Sequence, residues 1–436
     1  MMNAAPPAVT KPVESIDPKE ILSDCAPLAT GRRASWASRR LSRSAAFYLQ
    51  ASITVGFLAG SSAPTPLYPL YQAQWGFSPV AVTVIFGIYA LAVLSALLVA
   101  GRLSDHVGRR PVLFFAAVAQ AITMVIFATA DSLSGLLIAR VAQGLATGAA
   151  VAAVGAGLLD LDKSRGTIAN AIAPAVGTAT GAITAGVMVR YLPAPTHLIY
   201  SVLGVVFVLQ GIGVLFMSES TPARGGALAS LKPQLTLPVA VRESFLLAVP
   251  VLVAVWALAG FYGSLGPMLI RSMPGGDSSL LGGLALFVLA GSGALTVFLM
   301  RRVEARTMMS VGASALFAGV AIAVLALSTQ SVATFFLGTS VAGIGFGAGF
   351  QGAIRTIMPL AAPHERAGVL SVIFVVSYLA MGLPAVAAGV LVVQQGNVFA
   401  TAREFGTVVM ILAALALLGP AAKRMVAMWS SSSTRA

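Results

Sequence analysis

The sequence predicts an all-α membrane protein of 12 transmembrane helices in two six-helix bundles, with both termini in the cytoplasm. Three observations predict it. The 436 residues are 58% hydrophobic and only 9% charged, with mean hydropathy +0.91; a soluble domain carries about 25% charged residues. The apolar residues fall in long unbroken runs of about 20, the length a helix needs to cross a hydrocarbon core, and not in the period-two alternation of a membrane barrel. A polar stretch at 218–243, with Pro222, Gly225, Gly226, Pro233 and Pro238, divides the runs into equal sets. In lipid a helix satisfies its own backbone hydrogen bonds, which is why such runs are read as helices.

The elements follow in order. Residues 1–43 are rich in Pro, Ser and Ala and end in the basic run Arg32, Arg33, Arg39, Arg40 and Arg43. They hold no apolar segment of signal-peptide type and read as a disordered cytoplasmic tail, its arginines anchoring the membrane surface. The N-terminal bundle is expected at 44–217. Its helix 1 runs about 45–70 and is broken near its outer end by Pro64, Pro66 and Pro69. Helix 2, about 79–103, opens with Ser78 as cap and Pro79 at its first position. Helices 3 to 6 are expected near 110–130, 133–158, 167–190 and 196–217. The linker 218–243 leads to a C-terminal bundle at 244–424. Its helices 7 to 12 are expected near 244–270, 278–300, 307–327, 331–355, 365–393 and 404–423, before a Ser-rich tail at 425–436. Helix 7 is interrupted by Gly260, Gly263, Gly266 and Pro267. Paired interruptions at corresponding places in two halves point to a transport site.

Charge placement fixes the topology. With the N-terminus inside, 23 of the 27 Lys and Arg fall on the inner side, as the positive-inside rule requires. Only Arg190, Arg271 and Arg403 fall outside, and Arg140 lies within a span. The net charge of +13 therefore reports membrane orientation rather than a nucleic-acid partner. The single cysteine, Cys25, allows neither an intrachain disulfide nor a cysteine-built metal site.

The loop between helices 2 and 3 reads Gly101-Arg-Leu-Ser-Asp105-His-Val-Gly108-Arg109-Arg110. Glycine, aspartate four residues on, then glycine and two arginines resemble the 2–3 loop signature of the major facilitator superfamily. His106 stands where that signature has Arg or Lys, so a titratable group replaces a permanent charge. The resemblance extends over about 45–423. It implies two bundles rocking around a central cavity, with no cofactor. It further implies that Asp105 acts as a conformational latch, with Gly101, Gly108, Arg109 and Arg110, against the start of helix 11 at about Pro363–Gly368.

A second pattern is Arg140, Gln143 and Gly144, which resembles the superfamily's helix 4 motif. With Thr147 and Gly148 these residues share one helix face. An arginine inside the membrane is costly and marks function by default. The alternative is a backbone-paired structural arginine; a cavity-facing role in proton or substrate coupling is the favoured reading. Tyr89, Trp256, Tyr262, Gln351 and Tyr378 are further candidates for the cavity, with Gln120 beside them, while Tyr71 and Trp75 read as outer-interface residues. Helix 5 partly resembles the glycine-rich motif of drug–proton antiporters through Gly177, Gly181 and Gly186, but lacks its Gly-Pro pair. Close helix packing explains the same spacing, as it does for Gly343, Gly345, Gly347, Gly349 and Gly352 in helix 10.

All 14 Asp and Glu fall in tails, loops or helix ends. Without a mid-span carboxylate, a cationic substrate has no counter-charge, and a neutral, lipophilic or anionic small molecule fits better. The absence of paired acids, a His/Cys cluster or a serine with a base inside the spans argues against an enzyme. The expected protein is a monomeric efflux permease of a bacterial cytoplasmic (inner) membrane. It binds no metal or cofactor, and protons are the candidate coupling ion. An uptake permease, an uncoupled facilitator and a non-transporting receptor or scaffold are the alternatives.

Overall fold

Where the helices start and stop is clear from their ends. A computed structural model describes residues 40–433, with side chains to residue 419. The expected N-terminal tail falls outside these residues up to position 39. The long helices are α1 (Arg43–Ser62), α2 (Pro79–Ala100), α3 (Arg109–Thr129), α4 (Leu133–Leu161), α5 (Lys163–Tyr191) and α6 (Pro195–Leu215). The second half contributes α7 (Val239–Ser264), α8 (Ser279–Leu299), α9 (Ala305–Thr329), α10 (Val332–Ile357), α11 (Arg366–Gln395) and α12 (Val398–Ser433). Side-chain caps open α1, α2, α4, α5 and α10, where Ser42, Ser78, Ser132, Asp162 and Ser331 each accept a backbone N–H of the first turn. Among the described residues, eleven helices are long and apolar enough to cross a membrane. The exception is α1, whose Gln50, Ser52 and Thr54 dilute its apolar face.

Three boundaries differ from expectation. Helix 1 is not one element over 45–70: α1 stops at Ser62, a short 3-10 turn spans Thr65–Leu67, and a separate helix spans Tyr68–Trp75. Pro64 and Pro66 cause this, because each lacks the N–H that would close the next helical turn. Helix 7 begins at Val239, inside the stretch assigned to the linker, and ends at Ser264 before a short helix Gly266–Arg271. The last helix continues to Ser433, through residues expected to form the tail.

In the N-terminal half α2 packs on α4, α3 on α4 and α6, and α1 on α5; in the C-terminal half α10 packs on α8 and α9, and α7 on α11 and α12. Each half buries its own apolar core. Two seams join the halves, α2 with α11 and α5 with α8. They are equivalent under exchange of the halves, since α2 corresponds to α8 and α5 to α11. Within each half, the glycines of helices 5 and 10 make close approaches possible. A methyl group on Gly177 or Gly181 would run into the α1 backbone, on Gly349 into Val251 of α7, and on Gly345 or Gly352 into α9. In lipid, where apolar burial gives helices little reason to associate, such close packing is a main source of cohesion.

Candidate functional site

The break in helix 1 creates the site. Pro64 has no N–H for the carbonyl of Gly60, four residues back. That carbonyl instead accepts Gln143 Nε2 at 2.9 Å. The neighbouring Ser61 carbonyl accepts Arg140 Nη1 at 2.8 Å. Both carbonyls sit at the C-terminal, negative end of α1, where a cation is favoured. Arg140 Nη1 also donates to Gln143 Oε1 at 2.6 Å, and Nη2 donates to the Tyr68 hydroxyl at 2.5 Å. The rings of Tyr89, Tyr68 and Phe127 lie 5.1, 5.7 and 5.8 Å from the guanidinium carbon. A desolvated cation gains about 2 kcal/mol from a ring so placed. Arg140 has no salt bridge among the described residues; dipoles and ring faces compensate its charge.

Arg140, a candidate for the cavity, lies inside this network. The side chain is fully buried, as is Gln143. Gly144 serves packing: a methyl group there would meet the Tyr89 carbonyl at 2.8 Å. Tyr89 covers the arginine and belongs to a cluster with Tyr378 and Phe374 of α11. The Tyr378 ring lies 5.3 Å from that of Trp256 on α7, which also touches Phe350 at 5.2 Å. Tyr89, Tyr378 and Trp256 thus form an aromatic bridge from the buried cation into the opposite half. Gln351 is half-buried on α10. Tyr262 lies apart, buried in the C-terminal core with its hydroxyl 2.8 Å from Thr339 Oγ1 and its ring stacked on Phe335. Gln120 is buried beside Gly60. Tyr71 is buried, stacked on Trp75, with its hydroxyl 3.1 Å from that of Tyr200.

The second break answers the first. Pro267 has no N–H for the carbonyl of Gly263, and that carbonyl accepts Thr65 Oγ1 at 3.0 Å. Thr65 belongs to the 3-10 turn of the helix 1 break. The two interruptions therefore meet across the halves through one buried hydrogen bond. Phe86 of α2 packs over the same glycine.

At the inner side the loop between α2 and α3 makes its polar contacts within its own half. Asp105 pairs with Arg109 at 2.5 Å, and Arg109 reaches Asp160 at the end of α4 at 3.3 Å. Arg109 Nη1 also donates to Ser104 Oγ at 2.6 Å. Gly108 has φ +100°, a conformation glycine adopts freely. It leaves room for Glu219, whose carboxylate accepts the backbone N–H groups of Arg109 at 2.8 Å and Arg110 at 3.0 Å. Arg110 donates its side chain to the Leu215 carbonyl. Gly101 follows the last residue of α2, and a methyl group there would strike the Leu97 carbonyl. His106 Nδ1 lies 3.1 Å from the Gly225 carbonyl. No ion pair among the described residues links Asp105 to the start of α11.

The sequence reading missed Tyr68, Phe127, Thr65, Glu219 and Asp160. Tyr68 and Thr65 were legible as polar residues inside the proline break. Glu219 and Asp160 carried no local signal, because their partners are 109 or 110 and 51 residues away. Among the described residues no group of three or more His, Cys, Asp or Glu could hold a metal ion.

Fold and site together define a multi-pass membrane protein of the two-bundle transporter class. The family model described as Major Facilitator Superfamily matches residues 51–385, and the chain belongs to that superfamily. No curated protein matches the sequence significantly. Many solved structures share the fold. The nucleoside transporter NupG superposes with TM-score 0.63 at 12% identity, over 85% of this chain and 96% of that one. A bacterial homologue of the human lysosomal transporter Spinster, inward-facing and unoccupied, gives 0.66 at 15% identity, over 86% and 96%. The xylose transporter XylE from E. coli, in a partially occluded inward-open conformation, gives 0.65 at 13% identity, over 85% and 96%.

Proposed function

We propose that this protein is a secondary transporter of a bacterial cytoplasmic membrane that exports a neutral, lipophilic or anionic small molecule by alternating access. The observation that carries the reading is the pairing of the two helix breaks, by which Thr65 closes the outer ends through a bond that a rocking motion must break. Arg140, with no carboxylate beside it, supplies the positive potential near the middle of the membrane. Tyr89 covers Arg140 and leads to Tyr378 and Trp256 in the opposite half, and the lack of an acid along this path among the described residues supports a substrate that is not a cation. The export direction rests on the glycine pattern of α5. Asp105 acts as the inner latch: its pairing with Arg109 belongs to the outward-closed state, and it would engage the start of α11 when the inner side closes.

The test is uptake of neutral, anionic and cationic dyes into proteoliposomes, with and without an imposed pH gradient. Gradient-driven movement of a neutral or anionic dye, lost in Asp105→Asn, is the expected result. Movement indifferent to pH would make the protein an uncoupled facilitator. Selective movement of cationic dyes would overturn the substrate class.

A further inference from the structure

An apolar groove of about 320 Å³ runs along the lipid-facing side of the seam between α5 and α8. Ile172, Val176 and Thr180 line one wall, and Gly291, Leu295 and Phe298 line the other. From Phe287 to Phe298 the groove spans about 16 Å by helical rise, close to the roughly 15 Å depth of one leaflet's hydrocarbon. Gly291 opens its middle, since a methyl group there would meet nothing within 4 Å.

The cytoplasmic end of the groove is built around charge. Arg355 of α10 donates to the carbonyls of Met300 at 3.3 Å and Val303 at 2.7 Å, which fixes the turn after α8. Met300 and Val303, like Ala171 and Ile172 of α5, pack against the cluster of Val297, Met308 and Ala348 at this end of the seam. Arg301 and Arg302, between those two anchored positions, are left exposed. The Arg301 guanidinium lies 4.3 Å from the Phe298 ring centroid, and Nη1 donates to the Phe298 carbonyl at 2.9 Å, so it stands over the groove's rim with other donors unspent. Glu304 is the acid nearest in sequence, also exposed, with Thr307 Oγ1 3.5 Å away.

We propose that this groove is a binding site for an anionic phospholipid of the inner leaflet. One acyl chain lies between α5 and α8, and the headgroup phosphate is held by Arg301 and Arg302. A neutral lipid could fill the groove but would leave the arginines without a counter-charge. Because the groove follows one of the two seams on which the halves must shift, an occupant couples lipid composition to the transport cycle.

The test is native mass spectrometry of protein released from vesicles of phosphatidylcholine and phosphatidylglycerol in equal amounts. Wild type should retain phosphatidylglycerol in preference. The double variant Arg301→Gln, Arg302→Gln should lose that preference by about tenfold or more while keeping phosphatidylcholine. Gly291→Phe should fill the groove and release both lipids, and Gly291→Ala should behave as wild type. Monodisperse elution checks folding, and the two arginines are surface residues whose replacement leaves the core intact. Equal retention of both lipids by wild type, or undiminished phosphatidylglycerol in the double variant or in Gly291→Phe, overturns the proposal.

Discussion

Replacing Thr65 with valine removes one hydroxyl and almost nothing else, because the two side chains have nearly the same shape. The lost bond is the one from Thr65 Oγ1 to the Gly263 carbonyl at 3.0 Å, between groups that are both buried. A neutral hydrogen bond contributes about 0.5–1.5 kcal/mol net, and an acceptor left buried without a partner costs about 1–3 kcal/mol. Gly263 has no substitute donor, since the residue four positions on is Pro267. The bond exists only when the outer ends touch, so the whole loss falls on the outward-closed state. A shift of about 1–2 kcal/mol changes the ratio of closed to open by roughly 5- to 30-fold. The assay is a distance distribution between spin labels at Gln72 and Ser272, which border one pocket of about 270 Å³ at the outer face. Cys25, the only native cysteine, is replaced by serine for labelling. Thr65→Val should enlarge the long-distance population by that factor, and Thr65→Ser, which keeps the hydroxyl, should not. An unchanged distribution in Thr65→Val would refute the idea that the paired breaks hold the outer side closed.

Three further outcomes are expected. Arg140→Met strips the donor from the Ser61 carbonyl, Gln143 Oε1 and the Tyr68 hydroxyl together, and at about 1–3 kcal/mol per orphaned group should lower the melting temperature in detergent markedly; an unchanged melt would show that Arg140 does not terminate α1. Glu219→Ala removes the acceptor for two N–H groups opening α3 and should cost about 0.5–2 kcal/mol, read as a lower denaturation midpoint, while Glu219→Gln should lose less. Asp105→Asn breaks a pair whose aspartate side chain is 49% exposed; such pairs contribute about 0–1 kcal/mol, so transport should fall with the melting temperature nearly constant, and a parallel loss of both would make Asp105 structural.

Much of this fold is written in the chain because lipid leaves the backbone few options. Hydropathy sets the runs, and Pro79, Ser78 and Ser132 mark where helices begin. The break in helix 1 was legible from Pro64 and Pro66, and the break in helix 7 from Pro267. What these breaks bond to was not, because the donors, Gln143, Arg140 and Thr65, lie 83, 79 and 198 residues away from the carbonyls they satisfy. The sequence marked Arg140 as costly and therefore as functional. It could not show that the cost is met by the end of another helix, which turns a presumed cavity lining into the clamp of α1 on α4. The glycines of α5 and α10 fit a motif and a packing surface equally well by spacing, and the backbones lying against Gly177, Gly181, Gly345 and Gly352 show the packing use. Helix 12 outran its apolar stretch, continuing past Gly419 and Pro420 to Ser433.

The clamp on the 2–3 loop also sets the length of the leash between the halves. Glu219 caps α3, the Arg224 N–H donates to the His106 carbonyl at 2.7 Å, and His106 touches Gly225, so the first part of the connection moves with the N-terminal half. Thr236 presses on Gly368 at the start of α11, so the last part travels with the C-terminal half. The short helix Ala227–Ser230 also packs on the 2–3 loop, with Ser230 buried, so only residues 231–235 are left to give. Even drawn straight they reach roughly 16–18 Å. The stroke of the machine is thus bounded by a strap shorter than its sequence interval suggests, and lengthening that interval by a flexible insert after Lys232 should loosen the coupling of the two halves without touching either one.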